Sequence, residues 1–213
     1  MSAIVSPLIW RRILLSSGST LSNLHAILQI SFDWSDESLH AFRIHGKEYG
    51  RSGADSSTVR LEEFRFHKGE KFLYSYDFIS GWECDIRLEG VMPRDSRRQY
   101  PVCIGGKQAA PPEDCLGPKA YMDRLDRHTL PIEDMRIAAN AVESLLKADP
   151  DSPIRDAIED MDELQEAVHH LDAYYEFKPE HFERRTVNAQ LRAWARNQGG
   201  RHGEDKSADG NDR

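Results

Sequence analysis

Lys71-Phe72-Leu73-Tyr74-Ser75-Tyr76-Asp77-Phe78 and Trp82-Glu83-Cys84-Asp85-Ile86-Arg87-Leu88-Glu89 decide the fold. The first run puts Phe72, Tyr74, Tyr76 and Phe78 on one side. The second alternates without a break, with Trp82, Cys84, Ile86 and Leu88 inward and Glu83, Asp85, Arg87 and Glu89 outward. A period of two is the signature of a half-buried strand. The link contains Ser80-Gly81, so the two runs read as a β-hairpin.

The neighbours extend this sheet. Residues 38–45 (SLHAFRIH) alternate with His40, Phe42 and Ile44 on one side, and residues 8–15 (LIWRRILL) read as another strand. Between them, Ser19 or Thr20 can cap a helix from Leu21 to about Phe32, with Leu21, Leu24, Ile27 and Leu28 on one face. Residues 46–58 read as turn and loop. Residues 90–119 carry five prolines and two cysteines without a period, too long for an ordinary loop, so something should anchor them. Pro131 precedes a helix over 132–147, Asp151 or Ser152 can cap one from Pro153 to about Tyr175, and a last helix runs from about Arg184 to Arg196. Residues 197–213 lack aliphatic core formers and read as a disordered tail.

The chain has 213 residues, 39% hydrophobic and 30% charged, enough for one domain with an appendage or two small ones. No stretch approaches the roughly 20 apolar residues of a membrane span. Arg11 and Arg12 interrupt the first apolar run, and no basic stretch precedes it, so it is not a signal peptide. Three cysteines do not make a secreted disulfide scaffold. These features read as a cytoplasmic protein. The net charge of -8 is uneven, because residues 147–183 carry 3 basic and 12 acidic residues. The remaining body is almost neutral. The charge objection to nucleic-acid binding therefore applies to one end of the chain.

Several strings coincide in order and spacing. They are Ile9-Trp10-Arg11-Arg12-Ile13, Leu24-His25, Leu39-His40-Ala41-Phe42-Arg43-Ile44, Tyr49-Gly50, the hairpin itself, Tyr100-Pro101-Val102-Cys103, and Ala110-Pro111-Pro112-Glu113-Asp114-Cys115 with Gly117-Pro118. Together they resemble the plasmid pRiA ORF-three-like family, known also as TnpR-like passenger proteins of an insertion element. The resemblance covers roughly residues 7–122, with an echo at Phe182 to Leu191. It implies an α+β fold: a curved antiparallel or mixed sheet with a packed helix, β-grasp-like, over residues 1–122. A helical extension follows over 123–196, before the 197–213 tail. It implies a setting in plasmids and mobile elements, and no assigned biochemical activity. Two departures stand out. Members usually begin with a further strand, for which the six residues before Pro7 leave little room. Their hairpin usually reads Gly-Asp-Gly-Trp-x-His, where this chain has Ser80 for the Asp and Cys84 for the His.

His and Cys both bind zinc, which draws together His40, Cys84, Cys103 and Cys115 as a candidate set for one structural zinc ion. Such a site would anchor the 90–119 segment. Two other readings stand beside it. The cysteines serve as small buried hydrophobes or inert thiols, or Cys103 and Cys115 form a disulfide, which a reducing cytosol disfavours. Glu113 or Asp114 is a candidate general base, or a loop residue bonded to local amides. There is no phosphate-binding loop, GxSxG or HExxH. His169-His170 points to two faces of a helix.

Three functions follow from this. The first is a non-enzymatic accessory or regulatory protein of mobile-element origin, with the acidic helices meeting a protein partner. The second is DNA binding through Arg11, Arg12, Arg184, Arg185, Arg192 or Arg196. The third is a metal-dependent hydrolase built on the His40 and cysteine cluster.

Overall fold

The computed structural model describes residues 5–50, 55–151 and 153–201. Six strands and six α-helices follow in the order β1 (Trp10–Leu14), α1 (Leu21–Phe32), β2 (His40–Ile44), β3 (Lys47–Gly50), β4 (Lys71–Tyr76), β5 (Trp82–Arg87), β6 (Val102–Lys107), α2 (Pro118–Arg127), α3 (Ile132–Lys147), α4 (Ile154–Ala157), α5 (Met161–Glu176) and α6 (Arg184–Arg201). The architecture is α+β, with a helical C-terminal segment as expected. The chain forms two compact units, residues 1–122 with 180–213, and residues 123–179.

The hairpin is β4 and β5, paired from Lys71↔Arg87 to Tyr76↔Trp82. It lies in a four-stranded antiparallel sheet of order β3-β2-β4-β5. The sheet is divided where one curved sheet was expected, because β1 pairs instead with β6. Residues 90–119 are therefore not wholly irregular: Val102 to Lys107 is a strand. Residues 46–58 likewise contain β3. A bulge in the β1–β6 ladder leaves Ile104 without an opposite residue, since Arg12 faces Gly105 and Ile13 faces Cys103. Residues 1–4, where a preceding strand would begin, lie outside the described residues.

Helix α1 starts where Thr20 caps it. The Thr20 hydroxyl accepts from the Asn23 backbone N–H at 3.1 Å, and the Asn23 side chain accepts from the Thr20 N–H at 3.1 Å. Such a cap contributes about 1 kcal/mol. The helix has two buried sides. His25 and Gln29 bond Tyr74 on the four-stranded sheet. Ile27 joins Cys103 of β6 and Val187 and Leu191 of α6 in a second core.

Helix α6 closes the first unit by completing the free groups of β6. The Asn188 amide accepts from the Cys103 N–H at 2.8 Å and donates to the Cys103 carbonyl at 2.9 Å. Arg184 donates to the bulged Ile104 carbonyl at 3.1 Å. Phe182 covers Gly106, where an added Cβ would lie 2.4 Å from the ring.

In the second unit α3 runs over 132–147 as expected. The helix expected from Pro153 is interrupted. Ile158 is extended, and the Asp160 carboxylate accepts from the Glu163 N–H at 2.9 Å, which starts a new helix there. Among the described residues no helix is long and apolar enough to cross a membrane. Residues 202–213 of the expected tail lie outside the described residues, and α6 continues to Arg201.

Candidate functional site

The site lies where α1 meets the sheet. His25 is 5% exposed on a face otherwise built of Leu21, Leu24 and Leu28. A buried imidazole needs partners, and His25 has two. Its Nδ1 meets the Tyr74 hydroxyl at 2.7 Å, and its Nε2 meets the Asp36 carboxylate at 2.5 Å. Gln29 donates to the same Tyr74 oxygen at 2.8 Å and accepts from the Asp36 backbone N–H at 3.2 Å.

These four bonds close a ring. With the proton on His25 Nε2, every donor points the same way around: Asp36 N–H to Gln29, Gln29 to Tyr74, Tyr74 to His25, His25 to Asp36. The tautomer follows from that network, and bonds so aligned reinforce one another. Burial raises the Tyr74 hydroxyl well above its ordinary range, so it stays protonated.

His40, at the start of β2, stacks on His25 with ring centroids 3.5 Å apart and planes 11° off parallel. Its Nε2 is buried and has no hydrogen-bond partner among the described residues. Burial, then the neighbouring His25, push its pKa down to about 4 against the pull of Asp36. His40 is therefore neutral at pH 7. Ligand atoms of His25, Asp36 and His40 all lie within 4.8 Å of one another. Two imidazoles and a carboxylate are a donor set for a divalent transition metal.

The turn carrying Asp36 is fixed from the proline-rich segment. Glu113 accepts from the Ser35 N–H at 2.9 Å and from the Tyr76 hydroxyl at 2.8 Å. Trp34 donates to the Pro111 carbonyl at 3.1 Å and stacks on Tyr76 at 4.9 Å. Glu113 thus pins two elements of the site. These contacts supply the anchor that residues 90–119 required.

The four metal candidates read from the sequence are not gathered together. His40 joins His25 and Asp36 instead, and among the described residues Cys84, Cys103 and Cys115 belong to no group of three ligand atoms. Cys84 shares the face of His40 but sits one row along, opposite Tyr74 with β4 between them. Burial raises its thiol to about 12. Cys103 lies in the second core and donates to the Gly105 carbonyl at 3.3 Å. Cys115 is buried in the turn before α2. All three are thiols, with no Cys103–Cys115 disulfide. In the sequence, neither His25 nor Asp36 lies in a pattern that marks a ligand. The available signal was a histidine on the apolar face of α1.

The arginines divide. Arg11 donates to the Ser31, Trp10 and Lys107 carbonyls and stacks on Phe182 at 4.0 Å, and burial lowers its pKa to about 10. Arg12 forms a two-point pair with Glu89. Arg184 is held by Ile104. Arg185, Arg192 and Arg196 are exposed on α6.

The fold is shared more widely. The family model for plasmid pRiA4b ORF-3-like proteins matches residues 3–186. The chain belongs to that family. It is 32% identical over 127 residues to the uncharacterized protein y4hQ of Sinorhizobium fredii (strain NBRC 101917 / NGR234). That match covers 56% of this chain and 65% of the relative, so the chain spans slightly less than two thirds of its length. The crystal structure of MM3350, a protein of unknown function from Methanosarcina mazei Go1, is similar at 28% identity with a TM-score of 0.59, covering 85% of this chain and 90% of that one.

Proposed function

We propose that the protein is a non-enzymatic accessory module of mobile-element origin that binds a basic, amphipathic segment of a protein partner on its helical unit. The observation that carries this reading is the surface of residues 123–179. That unit holds 6 basic and 15 acidic residues. Along α3, Val142, Leu145 and Leu146 are exposed, at 56%, 39% and 82%, and recur at helical spacing on one face. Exposed Ile154 follows on α4. Aliphatic side chains rimmed by carboxylates suit a partner helix with one apolar and one basic face. The plasmid-derived family supports the mobile-element setting. Of the arginines that favour DNA, Arg11, Arg12 and Arg184 are engaged within the fold, which leaves Arg185, Arg192 and Arg196 for that alternative.

Crosslinking in the native host, with wild type beside Leu146→Glu, tests the reading. A basic protein should be recovered with wild type and lost with the variant, while helix content by circular dichroism stays the same. Equal recovery from both, or recovery of nucleic acid alone, refutes it.

A further inference from the structure

We propose that His25, Asp36 and His40 are the protein ligands of a single divalent transition-metal ion of the zinc class. Three independent features of the structure support this. The ligand atoms already lie within 4.8 Å of one another. Zinc holds imidazole nitrogen and carboxylate oxygen at about 2.0–2.2 Å, so tetrahedral ligands sit roughly 3.4 Å apart. The His25 and His40 rings are stacked 3.5 Å apart and 11° off parallel, so binding turns them against each other until both lone pairs meet at the ion.

The second feature is His40 Nε2. A buried polar atom without a partner costs about 1–3 kcal/mol, and a metal ion would satisfy it.

The third feature is the shell around the ligands. Ligating histidines generally fix their second nitrogen on another group. On binding, the proton on His25 Nε2 gives way to the ion and the ring carries its proton on Nδ1, which then donates to the Tyr74 oxygen that Gln29 also holds, while Gln29 keeps its grip on the Asp36 backbone. Glu113 and Pro111 hold the turn from the other side. Gly50 lets β3 approach the His40 backbone, where a Cβ would meet the His40 carbonyl at 2.8 Å.

Two imidazoles select zinc, cobalt or nickel over magnesium and calcium, which prefer all-oxygen sites. The Asp36 side chain is 56% exposed while His25 is buried, so the ion enters from the Asp36 side. Three protein ligands leave the fourth to come from solvent or from a partner's side chain.

The test is a zinc titration of the full chain, purified without chelator and without a metal-binding tag, followed by competition against a chromophoric chelator. Cobalt is used in parallel for its absorption spectrum. One equivalent should bind, with a tetrahedral cobalt spectrum. His40→Gln and Asp36→Asn should each weaken binding by at least about tenfold, and Glu113→Gln by less, because Glu113 holds the Ser35 backbone of the turn and touches no ligand. Cys84→Ala and Cys103→Ala should leave affinity unchanged. A folded wild type that binds neither ion overturns the proposal. So does binding that survives both His40→Gln and Asp36→Asn, or that is lost with the cysteine variants. His40 and Asp36 are partly exposed, so their variants remain informative if His25→Gln fails to fold. The outcome is independent of the partner-capture experiment, which uses a different unit of the chain.

Discussion

Asn188→Ala isolates the bond pair that joins α6 to β6. The amide accepts from the Cys103 N–H at 2.8 Å and donates to its carbonyl at 2.9 Å. Each bond contributes about 0.5–1.5 kcal/mol, and each peptide group left without a partner costs about 1–3 kcal/mol if water cannot reach it. Cys103 is 1% exposed, so water replaces the amide poorly. The expected loss is about 2–4 kcal/mol, read as a lower urea midpoint at unchanged slope. Amide exchange at Cys103 should accelerate in parallel.

Asn188→Asp sharpens the test. A carboxylate still accepts from the N–H, but its second oxygen faces the Cys103 carbonyl. Protonation restores a donor, so the folded state raises the pKa of this carboxyl. The deficit against wild type should therefore be largest near neutral pH and shrink as pH falls through the carboxyl range. An Asn188→Ala shift below about 0.5 kcal/mol, with unchanged Cys103 exchange, would show that α6 docks by apolar packing alone.

Two further outcomes are expected. In metal-free protein, His40 titrates near 4 when folded and near 6.5 when unfolded. The unfolded chain binds more protons between those values, so stability falls as pH drops from about 6.5 towards 4. Half-burial limits the loss to about 1–2 kcal/mol. Urea midpoints at pH 7 and 4.5 should diverge less in His40→Gln, and an equal divergence contradicts the assignment. Separately, Gly106→Ala should destabilise by about 1–3 kcal/mol, because its Cβ displaces the Phe182 ring that also stacks on Arg11. Thermal melts should show partial recovery when Phe182→Leu is added.

The legible parts of the fold were those whose partners are near in sequence. The β4–β5 hairpin follows from alternation and a short link. Helix α1 follows from its period and the Thr20 cap, with the same bounds, 21–32. Strand β6 was hidden for physical reasons. Gly105 and Gly106 carry no side chains to alternate, and β1, its partner, lies far back in the chain. The Ile158–Asp160 break is hidden in the sequence because Pro153 and the acidic pattern read as one helix. At the site, His40 was legible and its companions were not. The leucines of α1 account for that face without His25, and Asp36 looks like any turn residue until Gln29 and Glu113 are seen to hold its turn. Cys103 and Cys115 drew attention through a loop that needed anchoring, and Glu113 and Pro111 provide that anchor.

The first unit takes its last helix from beyond the second unit. During synthesis, β1, α1 and β6 are complete while residues 123–179 are still being added. At about 5–20 residues per second, the half-core around Ile27 and Cys103 waits several seconds for Val187 and Leu191. Over that interval the Cys103 peptide and the bulge at Ile104 are open to water and to other chains. A release of the nascent chain before Asn188 would leave a strand edge exposed, which makes the first two turns of α6 the step that protects the newborn protein from self-association.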